Sequence, residues 1–295
     1  MSHRIDPYSL RLFITAATQG SLARAAATEN IAPSALSRRI SDLEHAFGVP
    51  LLSRSPHGIA LTEAGRVAFN GGQRLEREFE SLVREVQSLN GQVAGTVRLH
   101  ANASSVVGFL PERLKIFRAN FPRVEVALQE RLSSDVIRAC LDDEADVGVG
   151  MVEQVPNGLD AWRFADDPFV VLAPLGHALS RREILRFYEV LEYPLVSLQS
   201  GGGLDRMLHD RASEANLKIN VSVTVNSFDG ACRMVDAGMG VAIVPISATT
   251  AFAGSDRFMK IPLNEPWVGR ELYVFSLRRS PRAAAVTALI DALKA

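Results

Sequence analysis

The chain is poor in the features that catalysis, export and membrane insertion depend on. Its 295 residues include two cysteines and two tryptophans, and only 7% are aromatic. Cys140 and Cys232 lie far apart and in different predicted lobes. Ordinary buried thiols are therefore expected in place of a disulfide, with redox sensing as the alternative. There is no HExxH, no CxxC, no GxSxG and no phosphate-binding loop ending in GK[ST]. Gly148-Val149-Gly150 lacks the third glycine and following helix of a dinucleotide site, and Gly238-Met239-Gly240 precedes a strand and reads as a tight turn. The histidines at 3, 45, 57, 100, 177 and 209 form no zinc spacing. No catalytic residue, metal site or cofactor is expected. No apolar run is long enough to cross a bilayer, and the first residues, Met-Ser-His-Arg-Ile-Asp-Pro, form no apolar h-region. The expectation is a cytoplasmic chain with no membrane partner. Neither sign of charge dominates, with 32 basic against 33 acidic residues, so bulk charge does not reveal a polyanionic partner.

What is present is local and ordered. Asp6-Pro7 is a cap followed by a first helical residue, and Leu10, Phe13, Ile14 and Ala17 recur at helical spacing. Ser21 caps a short Ala-rich helix running towards Glu29, and Asn30 tolerates the left-handed conformation that ends it. Pro33 then opens a helix whose apolar stripe is Leu36, Ile40, Leu43 and Phe47, closed by Gly48. The opposite face carries Ser34, Ser37, Arg38, Ser41 and His45, polar and cationic without a carboxylate, with Arg39 beside it. Leu51 to Ser53 and Ile59 to Leu61 read as two short strands around Ser55-Pro56-His57-Gly58, with Arg54 at the shoulder of the turn. A solvated helix face is the plain alternative for the Ser/Arg row, since residues 1 to 65 balance to only +1. The tandem of helices with a tight break and a wing favours a DNA-groove reader, in which placement of charge counts more than its total.

These residues carry a family resemblance. The runs Gly20-Ser21-Leu22-Ala23-Arg24-Ala25-Ala26, Ser34-Ala35-Leu36-Ser37-Arg38-Arg39-Ile40, Leu43-Glu44, Leu51-Leu52-Ser53-Arg54 and Leu61-Thr62-Glu63-Ala64-Gly65 resemble the LysR-type transcriptional regulators. So do Phe121-Pro122-Arg123-Val124, Asp146-Val147-Gly148-Val149, Gly176-His177-Ala178-Leu179 and the run from Val235 to Pro245, in the family's order. Two departures stand out. Ala32-Pro33-Ser34 replaces the frequent Ser-Gln-Pro, removing a glutamine that could read a base edge. His57 stands in the wing where Arg or Lys is frequent, and an unperturbed imidazole is mostly uncharged near neutral pH. The DNA-contacting set carried by the residues and the resemblance together is Ser34, Ser37, Arg38, Arg39, Ser41, Arg54 and His57.

From Thr62 to Asn90 one long helix is predicted, with Ala68, Gly72, Leu75, Phe79, Leu82, Val86 and Leu89 forming a seam of period near 3.5. The seam reads as a dimerisation helix, or alternatively as a face packed on the chain's own effector domain. The resemblance implies an antiparallel homodimer and a homotetramer built from two such dimers. Beyond Gln92-Val93-Ala94-Gly95 the pattern becomes alternating strand and helix, which predicts α/β lobes with a mostly parallel sheet. The expected organisation is a winged helix-turn-helix over 1–61, a linker helix over 62–91 and an effector-binding domain over 92–295. Lobe I is placed at about 96–163 and 267–295 and lobe II at about 164–266, a division that rests mainly on the resemblance, which implies a fold similar to periplasmic binding proteins.

In such lobes ligands bind where strand C-termini meet helix N-termini. The candidate effector residues are Asn102, Ser104, Ser105, Ser133, Ser134, Ser200, Gly201 and Phe228. Hydroxyls beside backbone donors suit a carboxylate, so an organic acid is one expected effector class, and Phe228 supplies an apolar wall. Each serine alone is more often a helix cap. The partners expected are double-stranded promoter DNA, a small-molecule effector, further copies of the chain and, in the regulator reading, RNA polymerase. Two other readings compete: a solute receptor, disfavoured by the missing signal peptide, and a bilobal enzyme, disfavoured because the strand-end loops offer mainly Ser, Asn and Gly.

Overall fold

The computed structural model describes residues 5–55, 58–88, 93–198, 203–254, 256–279 and 282–294, and the contacts divide the chain into two compact units, 1–90 and 91–295.

The first unit opens with α1 (Pro7–Gln19), α2 (Leu22–Thr28) and α3 (Pro33–Phe47). Each boundary has a local cause. The Asp6 carboxylate accepts from the Tyr8 and Ser9 amides, Ser21 Oγ accepts from Arg24, Asn30 takes φ 56°, and Gly48 ends α3 at φ 72°. Leu12, Phe13, Leu36 and Ile40 are fully buried in the core that the three helices enclose. Phe47, expected on the same stripe, is 38% exposed, because it lies in the last turn where α3 projects past that core.

The wing is β1 (Leu52–Ser55) paired antiparallel with β2 (Gly58–Leu61). It is fixed to the helices at both sides. Glu44 Oε1 accepts from the Leu51 and Leu52 amides at 2.8 and 3.0 Å, and the Ile59 amide donates to Gly20 O at 3.2 Å. Gly58 has φ 125°, and a Cβ there would lie 2.6 Å from Gly20 O, so only glycine fits this approach.

Helix α4 (Glu63–Ser88) follows, with Thr62 Oγ1 accepting from the Gly65 amide. Its seam splits in two. Ala68 is buried, and at Gly72 a Cβ would meet Ile14 Cδ1 at 2.9 Å and Leu10 at 3.1 Å, so this end of the seam packs on α1. Leu75, Phe79, Leu82 and Val86 are instead 52 to 57% exposed. Leu89 lies outside the described residues.

The second unit has two lobes. Its elements in chain order are β3 (Gly95–Ala101), α5 (Ala103–Gly108), α6 (Leu110–Asn120), β4 (Val124–Glu130), α7 (Ser133–Leu141), β5 (Val147–Met151), β6 (Leu159–Asp166), β7 (Phe169–Pro174), α8 (Phe187–Val190), β8 (Leu195–Leu198), α9 (Gly203–Glu214), β9 (Val221–Val225), α10 (Phe228–Asp236), β10 (Ala242–Pro245), β11 (Phe258–Pro262), β12 (Glu271–Leu277) and α11 (Ala284–Leu293). A 3-10 segment, Ile246–Phe252, follows β10.

Lobe I is a five-stranded sheet in the order β4-β3-β5-β12-β6. The βαβ units predicted from the sequence give parallel β3/β4 and β3/β5 pairs, but β12 runs antiparallel to both β5 and β6. The sheet is therefore mixed, not mostly parallel, because β12, returning from lobe II, inserts antiparallel between β5 and β6 in place of a strand brought in by another helical crossover. Val97, Leu99 and Ala101 face one fully buried core with Phe117, Phe164, Val274 and Leu289. Lobe II holds an antiparallel sheet, β10-β7-β11, and a parallel pair, β8-β9. The chain crosses between lobes at Asp167-Pro168 and again over 265–270.

Candidate DNA-binding face and effector cleft

Helix α3 exposes Ser34, Arg38, Ser41 and His45 and half-buries Ser37, on the side opposite buried Leu36, Ile40 and Leu43. The Arg38 guanidinium has no hydrogen bond or ion pair among the described residues. Arg39 is differently employed. Its Nη1 bonds Asp6 Oδ2 at 3.0 Å and Ser9 Oγ at 3.4 Å, and its guanidinium lies 4.9 Å from the Tyr8 ring centre. Asp6 itself is held below the usual carboxylate range, first by the Ser9 hydroxyl and then by the two cap amides and Arg39. Asp6 thus stays ionised as Arg39's partner, and the pair braces α3 against the start of α1. The backbone of Arg54 pairs with Ile59 in the wing, while the Arg54 side chain and His57 lie outside the described residues.

In lobe I the predicted effector residues converge on Asn102, at the C-terminal end of β3. Its Oδ1 accepts from the Ser105 amide at 3.0 Å, Ser105 Oγ at 2.6 Å and Ser104 Oγ at 3.4 Å. Its Nδ2 donates to Ser133 Oγ at 3.2 Å, and Ser133 Oγ also accepts from the Met151 amide at 3.2 Å. Asn102, not Ser104, is therefore the cap of α5, and α7 has no side-chain cap. Asn102, Ser104 and Ser105 are buried, Ser133 is half-buried, and Ser134 is exposed. Phe228, half-buried at the start of α10, packs on the apolar cluster of lobe II. Ser200 and Gly201 lie outside the described residues.

The sequence reading missed the two charged residues at the crossings. Asp167, 0% exposed, and Arg270, its side chain 9% exposed, form an ion pair of 3.0 Å. Asp167 Oδ1 also accepts from the Ser247 amide at 3.0 Å, and Arg270 Nη2 donates to Ser104 Oγ at 3.4 Å. The only sequence signal was positional, one acid and one base within a few residues of the lobe divisions placed at 163/164 and 266/267. His100, on the sheet face opposite the lobe I core, is buried with Nδ1 unpartnered, and burial pushes its pKa down. Both cysteines are buried and free, and burial pushes their thiols up, Cys140 to about 12 and Cys232 to about 11. Neither has the thiolate character that a reactive cysteine needs near neutral pH. Among the described residues no His/Cys/Asp/Glu group could hold a metal ion, and no helix is long and apolar enough to cross a membrane.

A winged helix-turn-helix carried in one chain with a two-lobed α/β body defines a DNA-binding regulator with a small-molecule-binding domain. A family model described as the LysR substrate binding domain matches residues 90–295, and one described as a bacterial regulatory helix-turn-helix protein, lysR family, matches residues 8–66. The chain belongs to the LysR family: it is a DNA-binding transcriptional regulator with a substrate-binding effector domain. The uncharacterized HTH-type transcriptional regulator YbhD of Escherichia coli is 25% identical over 293 residues, 98% of this chain and 92% of that protein. The HTH-type transcriptional activator CmpR of Synechocystis is 27% identical over 249 residues, 81% of this chain and 78% of that protein. Among solved structures, full-length CbnR complexed with its target DNA has a TM-score of 0.71 at 18% identity, covering 98% of each chain. A full-length OxyR variant from Pseudomonas aeruginosa has a TM-score of 0.74 at 18% identity, covering 98% of this chain and 95% of that one. These structures share the fold.

Proposed function

We propose that a homodimer of this chain reads a two-fold symmetric promoter operator with its two α3 helices and changes its DNA-bound form when a small molecule binds the effector domain. The observation that carries the reading is the exposed row Ser34, Arg38, Ser41 and His45, with Arg38 left without a partner among the described residues, opposite a fully buried stripe. A buried or internally paired arginine would be a brace; a free one on a preformed helix is placed to read a base edge, most often guanine. Ser34, Ser37 and Ser41 join it at base edges, and Arg54 and His57 of the wing set the register on phosphates. Arg39, already tied to Asp6, holds the angle between α1 and α3 and reaches a phosphate only by exchanging that partner.

Dimerisation rests on the exposed stretch of the α4 seam, Leu75, Phe79, Leu82 and Val86, the part of the periodic face that α1 does not cover. Pairing of two such dimers gives the tetramer. The effector seat is the C-terminal edge of β3 and β4, where Asn102, Ser104, Ser105, Ser133 and Ser134 gather, with Ser200, Gly201 and Phe228 contributed by lobe II. Exposed Ser134 on the uncapped first turn of α7 offers donors suited to the carboxylate of an organic acid. The chain acts by binding, without catalysis, in the cytoplasm where promoter DNA is found. The test is a mobility-shift titration with the intergenic DNA upstream of the chain's own gene, at low and physiological salt. A discrete complex that survives excess unrelated DNA is expected; no specific complex at any salt overturns the proposal.

A further inference from the structure

The charged pair at the two crossings belongs to a continuous tie between the lobes. It starts on α5 of lobe I at Ser104, passes through Arg270 and Asp167 at the crossings, and ends at the Ser247 amide of lobe II. Beside it, α5 and the 3-10 segment Ile246–Phe252 touch so closely that a Cβ on Gly108 would lie 2.3 Å from Ser247 Cβ and 3.1 Å from its Cα. Among the described residues, the tie is where a predicted effector residue, Ser104, is bonded directly to a group that spans the lobes.

Two properties make it a poised contact. Both Ser104 hydrogen bonds, to Asn102 and from Arg270, are 3.4 Å long, beyond the usual range for strong bonds, so an oxygen of a bound ligand at ordinary distance competes well for that hydroxyl. The arrangement also leaves Arg270 Nε and Ser247 Oγ buried with no hydrogen-bond partner among the described residues. Orphaned buried donors cost free energy that exposure to water or to a ligand recovers. The Arg270 guanidinium sits 4.8 Å from the Phe169 ring centre, and its charge is matched by Asp167, so the pair persists in the interior while its remaining valences stay unfilled.

We infer that Ser104, Arg270, Asp167 and Ser247 form an interlobe latch, and that an effector which captures the Ser104 hydroxyl releases it and lets the lobes open about the two crossings. The inference rests on the proposed role of Ser104 as an effector contact. It assigns the regulated motion as opening, and it assigns Arg270 and Asp167 as positioning residues, not ligand contacts. Ligand binding shifts the lobe equilibrium only through a difference in affinity between the two arrangements, and a Ser104 hydroxyl already spent on Arg270 supplies that difference.

The test uses the full-length chain with spin labels on Arg118→Cys in lobe I and Ser213→Cys in lobe II, both exposed, while the native Cys140 and Cys232 are buried and escape labelling. Labelled chains are diluted into unlabelled ones so that only distances within one chain are read. Three changes are compared with wild type. Ser104→Ala removes the first link, the double change Asp167→Asn with Arg270→Gln removes the ion pair without stranding a charge, and Gly108→Ala drives a methyl group against Ser247. All three are expected to lengthen and broaden the interlobe distance in the same direction, and Lys115→Ala, exposed on α6 and outside both the tie and the effector seat, is expected to leave it unchanged. Distributions for Ser104→Ala and the double variant that superimpose on wild type overturn the latch. A shift in the double variant with none in Ser104→Ala overturns the route from effector to latch. If the double variant fails to fold, Ser104→Ala and Gly108→Ala still decide the matter. Loss of operator binding by the wild type would instead defeat the regulator reading, and the distance measurement is independent of it.

Discussion

Replacing Phe79 and Leu82 together by glutamate should dissolve the proposed α4 dimer while leaving α4 helical. The magnitude follows from exposure. Leu75, Phe79, Leu82 and Val86 are each slightly more than half exposed in the single chain. Complete burial of a large apolar side chain contributes about 1.5 to 3 kcal/mol, so covering the remaining half of each contributes about 1 kcal/mol. Two helices that bury these eight side chains gain about 8 kcal/mol before the cost of association. Phe79→Glu with Leu82→Glu, present on both helices, removes about half of that, or about 4 kcal/mol, which corresponds to about a thousandfold weaker dimer at ~1.4 kcal/mol per decade. Repulsion between the new carboxylates adds to the loss. Glutamate is a good helix former, so circular dichroism should show unchanged helix content. Sedimentation equilibrium over a wide concentration range reads the dissociation constant directly. A folded variant whose dimer is within tenfold of wild type would show that the exposed part of the seam is not the dimer contact.

Three further outcomes follow from single residues. Cys140 and Cys232, with pKa values pushed up to about 12 and about 11, should resist iodoacetamide and hydrogen peroxide in the native chain and react once it is denatured; rapid native modification would contradict their burial. His100 is kept neutral by burial, so its folded pKa lies below the unfolded value of 6.5 and the unfolded chain binds more protons in between. Its contribution is therefore complete above that value and lost as pH falls below it. His100→Leu should flatten this acid-side decline in the melting temperature of the effector domain, and an unchanged slope would refute it. Gly58→Ala forces a Cβ to within 2.6 Å of Gly20 O at φ 125°, and should cost about 1 to 3 kcal/mol and weaken DNA binding through a displaced wing; calorimetry showing wild-type stability would remove that argument.

The parts of the molecule legible in the sequence are those set by local chemistry. Asp6-Pro7, Ser21, Asn30, Pro33 and Gly48 end or start helices through their own backbone preferences and caps, so α1, α2 and α3 fall where their residues put them. The apolar stripe of α3 misled only at Phe47, whose burial depends on how far the neighbouring helices extend. On α4 the periodicity was visible, but which partner covers it was not. Gly72 gave no sign that it admits Leu10 and Ile14, because that approach is fixed by a helix far away in sequence. The antiparallel placing of β12 and the pairing of Asp167 with Arg270 were illegible for the same reason, the latter joining residues 103 positions apart. Asn102 was read as one ligand contact among several, and the structure makes it the node that holds α5 and α7 together.

The central claim, that α3 reads DNA through Arg38, is tested most directly by fluorescence anisotropy of wild type and Arg38→Ala on the operator and on a scrambled duplex of equal length. Arg38 has no bond to lose among the described residues, so the variant should keep its fold, its melting temperature and its dimer. Loss of a bidentate base contact costs about 1 to 3 kcal/mol, so operator affinity should fall about tenfold to a hundredfold while binding to the scrambled duplex changes much less. Equal operator affinity for the two proteins would contradict the claim and move the reading face elsewhere on the head.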